Sequence, residues 1–157
     1  MTDIRDPENT LIMETSKGRV VIEMRPDIAP GHVARIKELT RQGFYNGVVF
    51  HRVIDGFMAQ TGDPTGRGTG GSGQKLRAEF NDATHERGTV SMARAQSPDS
   101  ADSQFFICFD DASFLDGQYT VWGKVISGME NVDKIKRGEP VANPDNIVTM
   151  SVAADTA

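Results

Sequence analysis

Residues 50–63 have the sequence FHRVIDGFMAQTGD, and this stretch decides the fold. The pair Asp55-Gly56 lies between two runs that are rich in apolar residues. An Asp-Gly pair in that setting is a strong signal for a tight hairpin turn. We therefore predict two antiparallel β-strands joined by this turn.

Side-chain alternation along the two strands predicts a candidate site. Successive residues of a strand point to opposite faces, so Phe50 and Arg52 are expected on one face of the first strand. By the same rule Met58 and Gln60 share a face of the second strand. If the hairpin turns these faces to the same side, a guanidinium and an amide lie above an apolar floor. Such a site suits holding a small apolar group while hydrogen-bond donors are directed at one of its atoms. The alternative for Arg52 is an ordinary surface arginine.

Length and composition are those of one globular domain. The chain has 157 residues, of which 38% are hydrophobic and 25% charged, so disorder is not expected. There are 17 basic and 22 acidic residues, and the net charge of −5 argues against a nucleic-acid partner. We predict a single domain over residues 10–157. Residues 1–9 are polar and are predicted to form a flexible tail.

The cysteine content and the first residues indicate location and exclude some metal sites. Cys108 is the only cysteine, which fits a reducing compartment and excludes a cysteine-rich zinc site. The first ten residues include acidic side chains and no apolar segment, so they do not resemble a signal peptide. No apolar run approaches the roughly 18 residues of a membrane span. The sequence therefore predicts a soluble, cytoplasmic protein.

Hydrophobic patterns predict eight strands and two helices without regular β-α alternation. This tally favours an antiparallel sheet closed into a barrel, with the helices as covers. The helices are predicted over residues 29–43 and 129–138, each ending near a glycine. Besides the two strands of the hairpin, strands are predicted over residues 10–16, 19–24, 89–95, 104–109, 120–126 and 146–152.

A glycine-rich segment over residues 62–73 offers a second candidate site. Gly66, Gly68 and Gly71 match the spacing G-x-G-x-x-G of dinucleotide-binding loops. That motif needs a helix to begin directly after it, and polar chain follows here instead. We therefore favour a loop that approaches a ligand closely, or a simple connection, over a phosphate site.

The remaining residues with potential chemistry favour structural roles. His32, His51 and His85 have no metal-ligand spacing to one another or to a pair of acids. The sequence contains no G-x-S-x-G motif of a serine hydrolase. Cys108 lies in an apolar run and is predicted to be a buried strand residue rather than a nucleophile.

Several segments together resemble the motifs of the cyclophilin family of peptidyl-prolyl cis-trans isomerases, in the family's order and with similar gaps. The resemblance extends from about Thr10 to Ala153, nearly the whole chain. The segments are FHRVIDGFMAQTGD (50–63), GTGG (68–71), SMARA (91–95), SQFFI (103–107), FLDG (114–117) and VWGKVISGMENVDKI (121–135).

The resemblance implies a closed, eight-stranded antiparallel barrel capped by two helices, of the short single-domain bacterial type. It implies a monomer without metal or cofactor that acts on proline-containing peptides and on unfolded or partly folded proteins. Arg52 is implied as the catalytic residue. The implied substrate-binding residues are Phe57, Met58, Phe106 and Leu115 in a proline pocket, Gln60, Ala93, Arg94 and Gln104 along the peptide backbone, Gly68 beside the residues before the proline, and Phe114 and Tyr119.

The sequence departs from well-known cyclophilins at three of these positions. Phe114 replaces a tryptophan that donates a hydrogen bond to the inhibitor cyclosporin, so weak cyclosporin binding is expected with catalysis retained. Tyr119 replaces a histidine and Arg94 an asparagine of the eukaryotic members. These two changes affect the expected peptide preference and not the reaction.

The residue types suit rotation about an X–Pro bond. The planar amide resists rotation by about 18–20 kcal/mol. In the twisted amide the lone pair returns to nitrogen, so a donor such as Arg52 binds the twisted form selectively. An apolar pocket also removes the water that favours the polar planar form.

Two other functions stay open from the sequence. A proline-binding module or holding chaperone could use the same pocket without turnover, although it gains little from a donor aimed at the amide nitrogen. A nucleotide-binding enzyme that uses the glycine-rich segment is the weakest alternative.

Overall fold

The computed structural model describes residues 6–139 and 141–156. Helix α1 spans Pro30–Arg41 and helix α2 spans Met129–Val132. Short 3-10 turns cover Pro7–Asn9, Ser113–Leu115 and Ala153–Thr156. The strands are β1 (Thr10–Thr15), β2 (Gly18–Met24), β3 (Arg52–Ile54), β4 (Met58–Thr61), β5 (Thr89–Met92), β6 (Phe105–Cys108), β7 (Val121–Ser127) and β8 (Ile147–Val152).

All eight strands belong to one antiparallel sheet with the order β3-β4-β6-β5-β7-β2-β1-β8. This arrangement confirms the predicted mainly β architecture with two helices. Strands β4, β6 and β5 lie side by side, which brings segments that are far apart in sequence onto one surface.

The predicted closure of the barrel is wrong in the part of the chain that the structure describes. The two edge strands, β3 and β8, form no ladder with each other. The segment before β3 meets the start of β8 through the isolated bridge between Val49 and Asn146 and through hydrogen bonds such as Ile147 N to Val48 O. The free edge of β3 pairs instead with a later segment through the bridge between Val53 and Gly138. The sheet is therefore a curled, open half-barrel, because β3 has only three residues and its outer edge is already occupied.

The main hydrophobic core fills the inside of this half-barrel. Val33, Ile36 and Leu39 form the buried face of α1, and they pack with apolar residues of the strands. Trp122 on β7 is fully buried in the same core. Burial of side chains of this size stabilises the fold by about 1.5–3 kcal/mol each. Helix α1 thereby covers the inner face of the sheet.

Phe50 corrects one sequence expectation. It was predicted to share a face with Arg52, but it is fully buried in the main core. The reason is that β3 begins only at Arg52, so the alternation of a strand does not extend back to residue 50.

Two predicted elements are shorter than expected. The strand predicted over 89–95 ends at Met92, and the next backbone N–H, that of Ala93, donates to Gln104 O, which lies before β6. The helix predicted over 129–138 ends at Val132, and the chain continues in tighter turns such as the bond from Lys134 N to Asn131 O.

Only part of the predicted N-terminal tail is described, because residues 1–5 lie outside the described residues. Pro7–Asn9 form a 3-10 turn, and Glu8 accepts hydrogen bonds from Lys37 and Arg41 of α1. Among residues 6–139 and 141–156, no helix has the length and apolar character needed to cross a membrane.

Candidate functional site

The β3–β4 hairpin places the first functional side chains. Arg52 pairs with Gln60 and Ile54 with Met58, which leaves three residues, 55–57, in the turn. Gly56 has φ of 74°, a conformation that glycine adopts without strain. The register confirms that Arg52 and Gln60 lie side by side on one face, as the sequence predicted.

A pocket lies on this face, outside the main core, and we call it the first pocket. Its floor belongs to a second, smaller hydrophobic cluster that includes the buried residues Met58, Phe106 and Cys108. The cavity measures about 110 Å³, which suits a small ring. Its lining residues are Arg52, Phe57, Met58, Gln60, Ala93, Arg94, Phe106, Leu115 and Tyr119.

Cys108 belongs to the hydrophobic cluster at the floor of the first pocket, and its thiol is unreactive. It faces Met58 across the β4–β6 ladder and is fully buried. Burial raises the pKa of its thiol to about 12, so the reactive thiolate is scarce at neutral pH. This fits the prediction of a buried strand residue.

The back wall of the pocket is held by a buried histidine. The ring of His85 stacks on Phe106 at 6.0 Å between centroids. His85 Nδ1 lies 2.9 Å from Asp116 Oδ1, and His85 Nε2 lies 2.9 Å from Ser91 Oγ. The backbone N–H and the ring of His85 hold the pKa of Asp116 below its usual range. These residue types also occur in serine hydrolases, but Ser91 is fully buried and donates to Thr120 O, so it offers no accessible nucleophile.

Arg52 lies at the rim of the first pocket, and its side chain is 40% exposed. Its Nε donates to Glu139 Oε2 at 2.5 Å and its Nη1 donates to Gln60 Oε1 at 3.2 Å. Gln60 Nε2 in turn donates to Gln104 Oε1 at 2.9 Å, and Gln104 Nε2 donates to Gly70 O at 3.0 Å. The guanidinium is thus the first member of a hydrogen-bonded row that leads away from the pocket.

This row ends in a larger cavity of about 410 Å³, which we call the second cleft. It shares Gln60, Ala93 and Arg94 with the first pocket. Its other lining residues are Gly68, Thr69, Gly70, Gly71, Lys75, Ala95, Ser100, Asp102 and Gln104. The two cavities therefore adjoin each other.

Asp63 organises one end of the glycine-rich segment that lines this cleft. It is fully buried and accepts hydrogen bonds from the N–H groups of Thr65, Arg67 and Gly68. Burial alone raises its pKa, but backbone donors, including Gly70, together with the Thr65 hydroxyl lower the pKa to about 2. A side chain at Gly70 would collide with the Asp63 carboxylate, so this position needs glycine.

Asp102 organises the other end of the segment. It accepts hydrogen bonds from the N–H and hydroxyl of Ser72, at 2.7 and 2.6 Å, and from the N–H of Gly73. Because the two carboxylates already take up backbone N–H groups of the segment, those groups are not available to a phosphate. No helix begins directly after the segment in the described residues, so the structure gives no support to a dinucleotide site.

The structure brings together all the predicted site residues except one. Gly68 and Gln104 line the second cleft, and the others line the first pocket, some of them both. Phe114 lies outside the two cavities with 66% of its surface exposed, and its ring contacts that of Phe57 at 5.5 Å between centroids.

Arg94 is already engaged by the protein. Its guanidinium donates to the carbonyl groups of Gln118, Ala95 and Gln96, and it lies 4.7 Å from the centre of the Tyr119 ring. It therefore forms a fixed wall between the two cavities.

Sequence reasoning missed several residues of the site. Asp63 stands at the end of the opening stretch, directly before the glycine-rich segment, and that position was a usable signal. Asp102 and Lys75 belong to loops without a motif. Glu139 lies 87 residues from Arg52, and only the folded chain shows their contact.

The known proteins to which this chain is similar are peptidyl-prolyl cis-trans isomerases. The family model described as cyclophilin type peptidyl-prolyl cis-trans isomerase/CLD matches residues 10–152. A probable peptidyl-prolyl cis-trans isomerase of Brucella suis is 56% identical, with 96% of this chain and 86% of that protein covered. Peptidyl-prolyl cis-trans isomerase B of Bacillus subtilis is 45% identical over 77% of this chain and 85% of its own length.

Two solved structures share the fold. The cyclophilin AquaCyp293 from Hirschia baltica superposes with a TM-score of 0.90 at 32% identity, with 97% of this chain and 76% of that chain covered. A cyclophilin-type isomerase of Cryptosporidium parvum, crystallised in the presence of the dipeptide Ala-Pro, gives 0.85 at 28% identity, with 91% and 98% covered.

Proposed function

This chain belongs to the family of cyclophilin-type peptidyl-prolyl cis-trans isomerases and is such an isomerase, and from that premise we propose that Arg52 is its catalytic residue. The observation that supports the proposal is a guanidinium at the rim of an apolar pocket of ring size. Within the described residues, Arg52 Nη2 has no hydrogen-bond partner, so it can donate to a bound peptide.

Arg52 acts by binding the twisted amide more strongly than the planar one. The uncatalysed exchange of an X–Pro bond takes roughly tens to hundreds of seconds, because rotation breaks amide resonance. When the bond twists, the proline nitrogen becomes an acceptor, and a hydrogen bond from the guanidinium then forms only in the transition state. One charge-assisted bond contributes about 1.5–3 kcal/mol in ordinary contexts, or roughly one to two decades in rate, and contributes more where water is excluded.

The first pocket supplies the rest of the rate enhancement. Phe57, Met58, Phe106 and Leu115 hold the proline ring and exclude water, which otherwise stabilises the polar planar amide. Gln60 is fixed by Arg52 and Gln104 and holds the carbonyl side while the other side turns. No covalent intermediate and no cofactor enter this mechanism.

The second cleft receives the residues that precede the proline. Gly68, Ala93 and Gln104 line it and would contact an extended backbone, and Arg94 separates it from the ring site. We infer that the substrates are proline-containing peptides and unfolded or partly folded proteins. The related Cryptosporidium parvum isomerase was crystallised in the presence of Ala-Pro, a ligand of this class.

Other sequence expectations belong to the same proposal. Residues 10–157 form one isomerase domain that acts as a monomer, in the cytoplasm. Phe114 binds cyclosporin weakly, because a phenyl ring offers no N–H to the inhibitor.

Refolding of a test protein whose slow step is proline isomerisation checks the proposal. Wild-type protein at one hundredth of the client's concentration is expected to accelerate the slow phase, since an enzyme turns over. Arg52→Ala at the same concentration is expected to leave the slow phase nearly unchanged. A holding protein would instead need stoichiometric amounts, and an Arg52→Ala variant as active as wild type would refute the assigned role.

A further inference from the structure

The segment that follows α2 adds a neighbour to the outer edge of β3. Val53 N donates to Gly138 O and Gly138 N donates to Val53 O, both at 2.8 Å. Val141 N also donates to His51 O at 3.2 Å. Gly138 therefore pairs antiparallel with the outer edge of the strand that carries Arg52, and Val141 binds the residue before that strand.

This pairing fixes which residue faces Arg52. Val53 and Gly138 exchange both hydrogen bonds, so the next pair along, Arg52 and Glu139, is of the non-hydrogen-bonded kind. Side chains approach most closely in such pairs. The contact between Arg52 Nε and Glu139 Oε2 at 2.5 Å is thus a product of backbone register rather than of two long side chains that meet by chance.

Arg52 consequently has a polar cross-strand neighbour on each side. Glu139 holds Nε from the outer edge, and Gln60 holds Nη1 from β4. A guanidinium is planar, so two fixed nitrogens set the plane and direction of the third. The third nitrogen, Nη2, is the one that we assign to the substrate.

We propose that Glu139 is a positioning residue for the reaction, which holds the Arg52 guanidinium in its productive orientation. The inference rests on the proposed function, because it gives Glu139 a role only through Arg52. The pair is half-exposed, with 40% of the arginine side chain and 57% of the glutamate side chain accessible. Water screens such a pair, so the expected contribution is modest.

The test compares three variants by steady-state kinetics with a proline peptide. Glu139→Ala is expected to lower kcat about three- to tenfold and to leave KM within about twofold, since the residue does not touch the peptide. Glu139→Gln keeps an acceptor oxygen and is expected to recover most of the loss. Glu14→Ala is the matched control, because Glu14 also binds a strand arginine, Arg19, and lines neither cavity.

A spectroscopic readout separates positioning from general stability. In a ¹⁵N–¹H spectrum of the arginine side chains, the Nε–H signal of Arg52 is assigned by its loss in Arg52→Lys. It is expected to move toward the signals of free arginine in Glu139→Ala, to keep a distinct position in Glu139→Gln, and to stay unchanged in Glu14→Ala. The melting temperature of each variant shows whether the fold is retained.

The outcomes distinguish this inference from the proposed function. An unchanged or raised kcat in Glu139→Ala, or a loss confined to KM, overturns the positioning role while Arg52→Ala stays inactive. A loss of kcat with an unmoved Arg52 signal also overturns it. If Arg52→Ala is as active as wild type, the catalytic assignment itself fails, and the role of Glu139 fails with it.

Discussion

The first pocket and the second cleft touch each other, yet they are built by different means. The first pocket has walls of packed apolar side chains on β4 and β6, with Phe106 fixed from behind by His85. The second cleft is lined by loops, whose shape depends on hydrogen bonds to Asp63 and Asp102. Under the proposed function, the contrast assigns the bond rotation to the region where the sheet fixes the geometry and the binding of the neighbouring peptide residues to the region where loops can vary.

The largest expected loss of activity comes from a change in the first pocket alone. Arg52→Ala removes the donor to the twisted amide and is expected to lower kcat/KM by about two to three decades. Arg52→Lys is expected to lose most of the activity as well, because an ammonium group cannot present the same planar set of donors. A protease-coupled assay with a proline peptide measures both. Near-wild-type activity of the alanine variant would show that the reaction does not depend on the arginine of the first pocket.

The second-largest expected effect comes from a change in the second cleft. Asp63→Asn is nearly isosteric but replaces an acceptor carboxylate by an amide whose NH₂ faces backbone donors. The free energy of unfolding is expected to fall by about 1–3 kcal/mol. Peptides that extend before the proline are expected to show a raised KM, with a smaller change in kcat. Denaturant titration and steady-state kinetics measure the two quantities, and Asp82→Asn, at an exposed position, is the control.

The same variant gives a pH test with a defined sign. The pKa of Asp63 is lowered on folding from 3.8 to about 2, so its stabilising contribution is complete above pH 4 and is lost as the pH falls toward 2. The difference in unfolding free energy between wild type and Asp63→Asn is therefore expected to be largest near pH 6 and to shrink between pH 4 and pH 2. A difference that is constant over this range would show that the carboxylate charge is not the cause.

A smaller expected effect tests whether charge at the second cleft contributes to substrate preference. Lys75 is exposed at the second cleft, so peptides with an acidic residue before the X–Pro pair are expected to bind better than those with a basic residue. Lys75→Glu is expected to shift that ratio of kcat/KM by a few-fold at most, because solvent screens exposed charges. Activity on a short peptide that fills only the first pocket serves as the control. An unchanged ratio would remove Lys75 from the recognition of substrate.

The smallest expected effect on turnover concerns the rim of the first pocket. Phe114→Trp supplies an indole N–H beside the first pocket and is expected to tighten cyclosporin binding about fivefold, the value of one ordinary hydrogen bond. Turnover of a proline peptide is expected to stay the same, because Phe114 lies outside both cavities. Isothermal calorimetry measures the affinity, and no change would contradict the role assigned to this position.

Local patterns predicted much of this molecule. Asp55-Gly56 between strand-forming residues gave the hairpin, and with it the pairing of Arg52 and Gln60, because both depend on neighbours in sequence. The resemblance to a family supplied Ala93 and Arg94 after β5, Phe106 on β6 and the residues of the 3-10 turn before Tyr119. The sequence itself had no local signal that joins them to the hairpin.

The sequence expectations that were wrong depend on contacts between distant segments. Closure of the sheet was expected from the number of strands, but the edge of β3 is taken by Gly138, which no local pattern reveals. The same long-range pairing brings Glu139 to Arg52. Phe50 was assigned to the wrong face because a strand was assumed to begin two residues before it does.

The buried thiol of Cys108 gives the protein an internal reporter. Because Cys108 is fully buried beside Met58 and Phe106, a thiol-specific reagent can reach it only when that part of the sheet opens. The rate of labelling then measures how often the floor beneath the ring site comes apart, without any engineered probe. A tightly held proline peptide should slow that labelling, which turns one inert side chain into a gauge of occupancy.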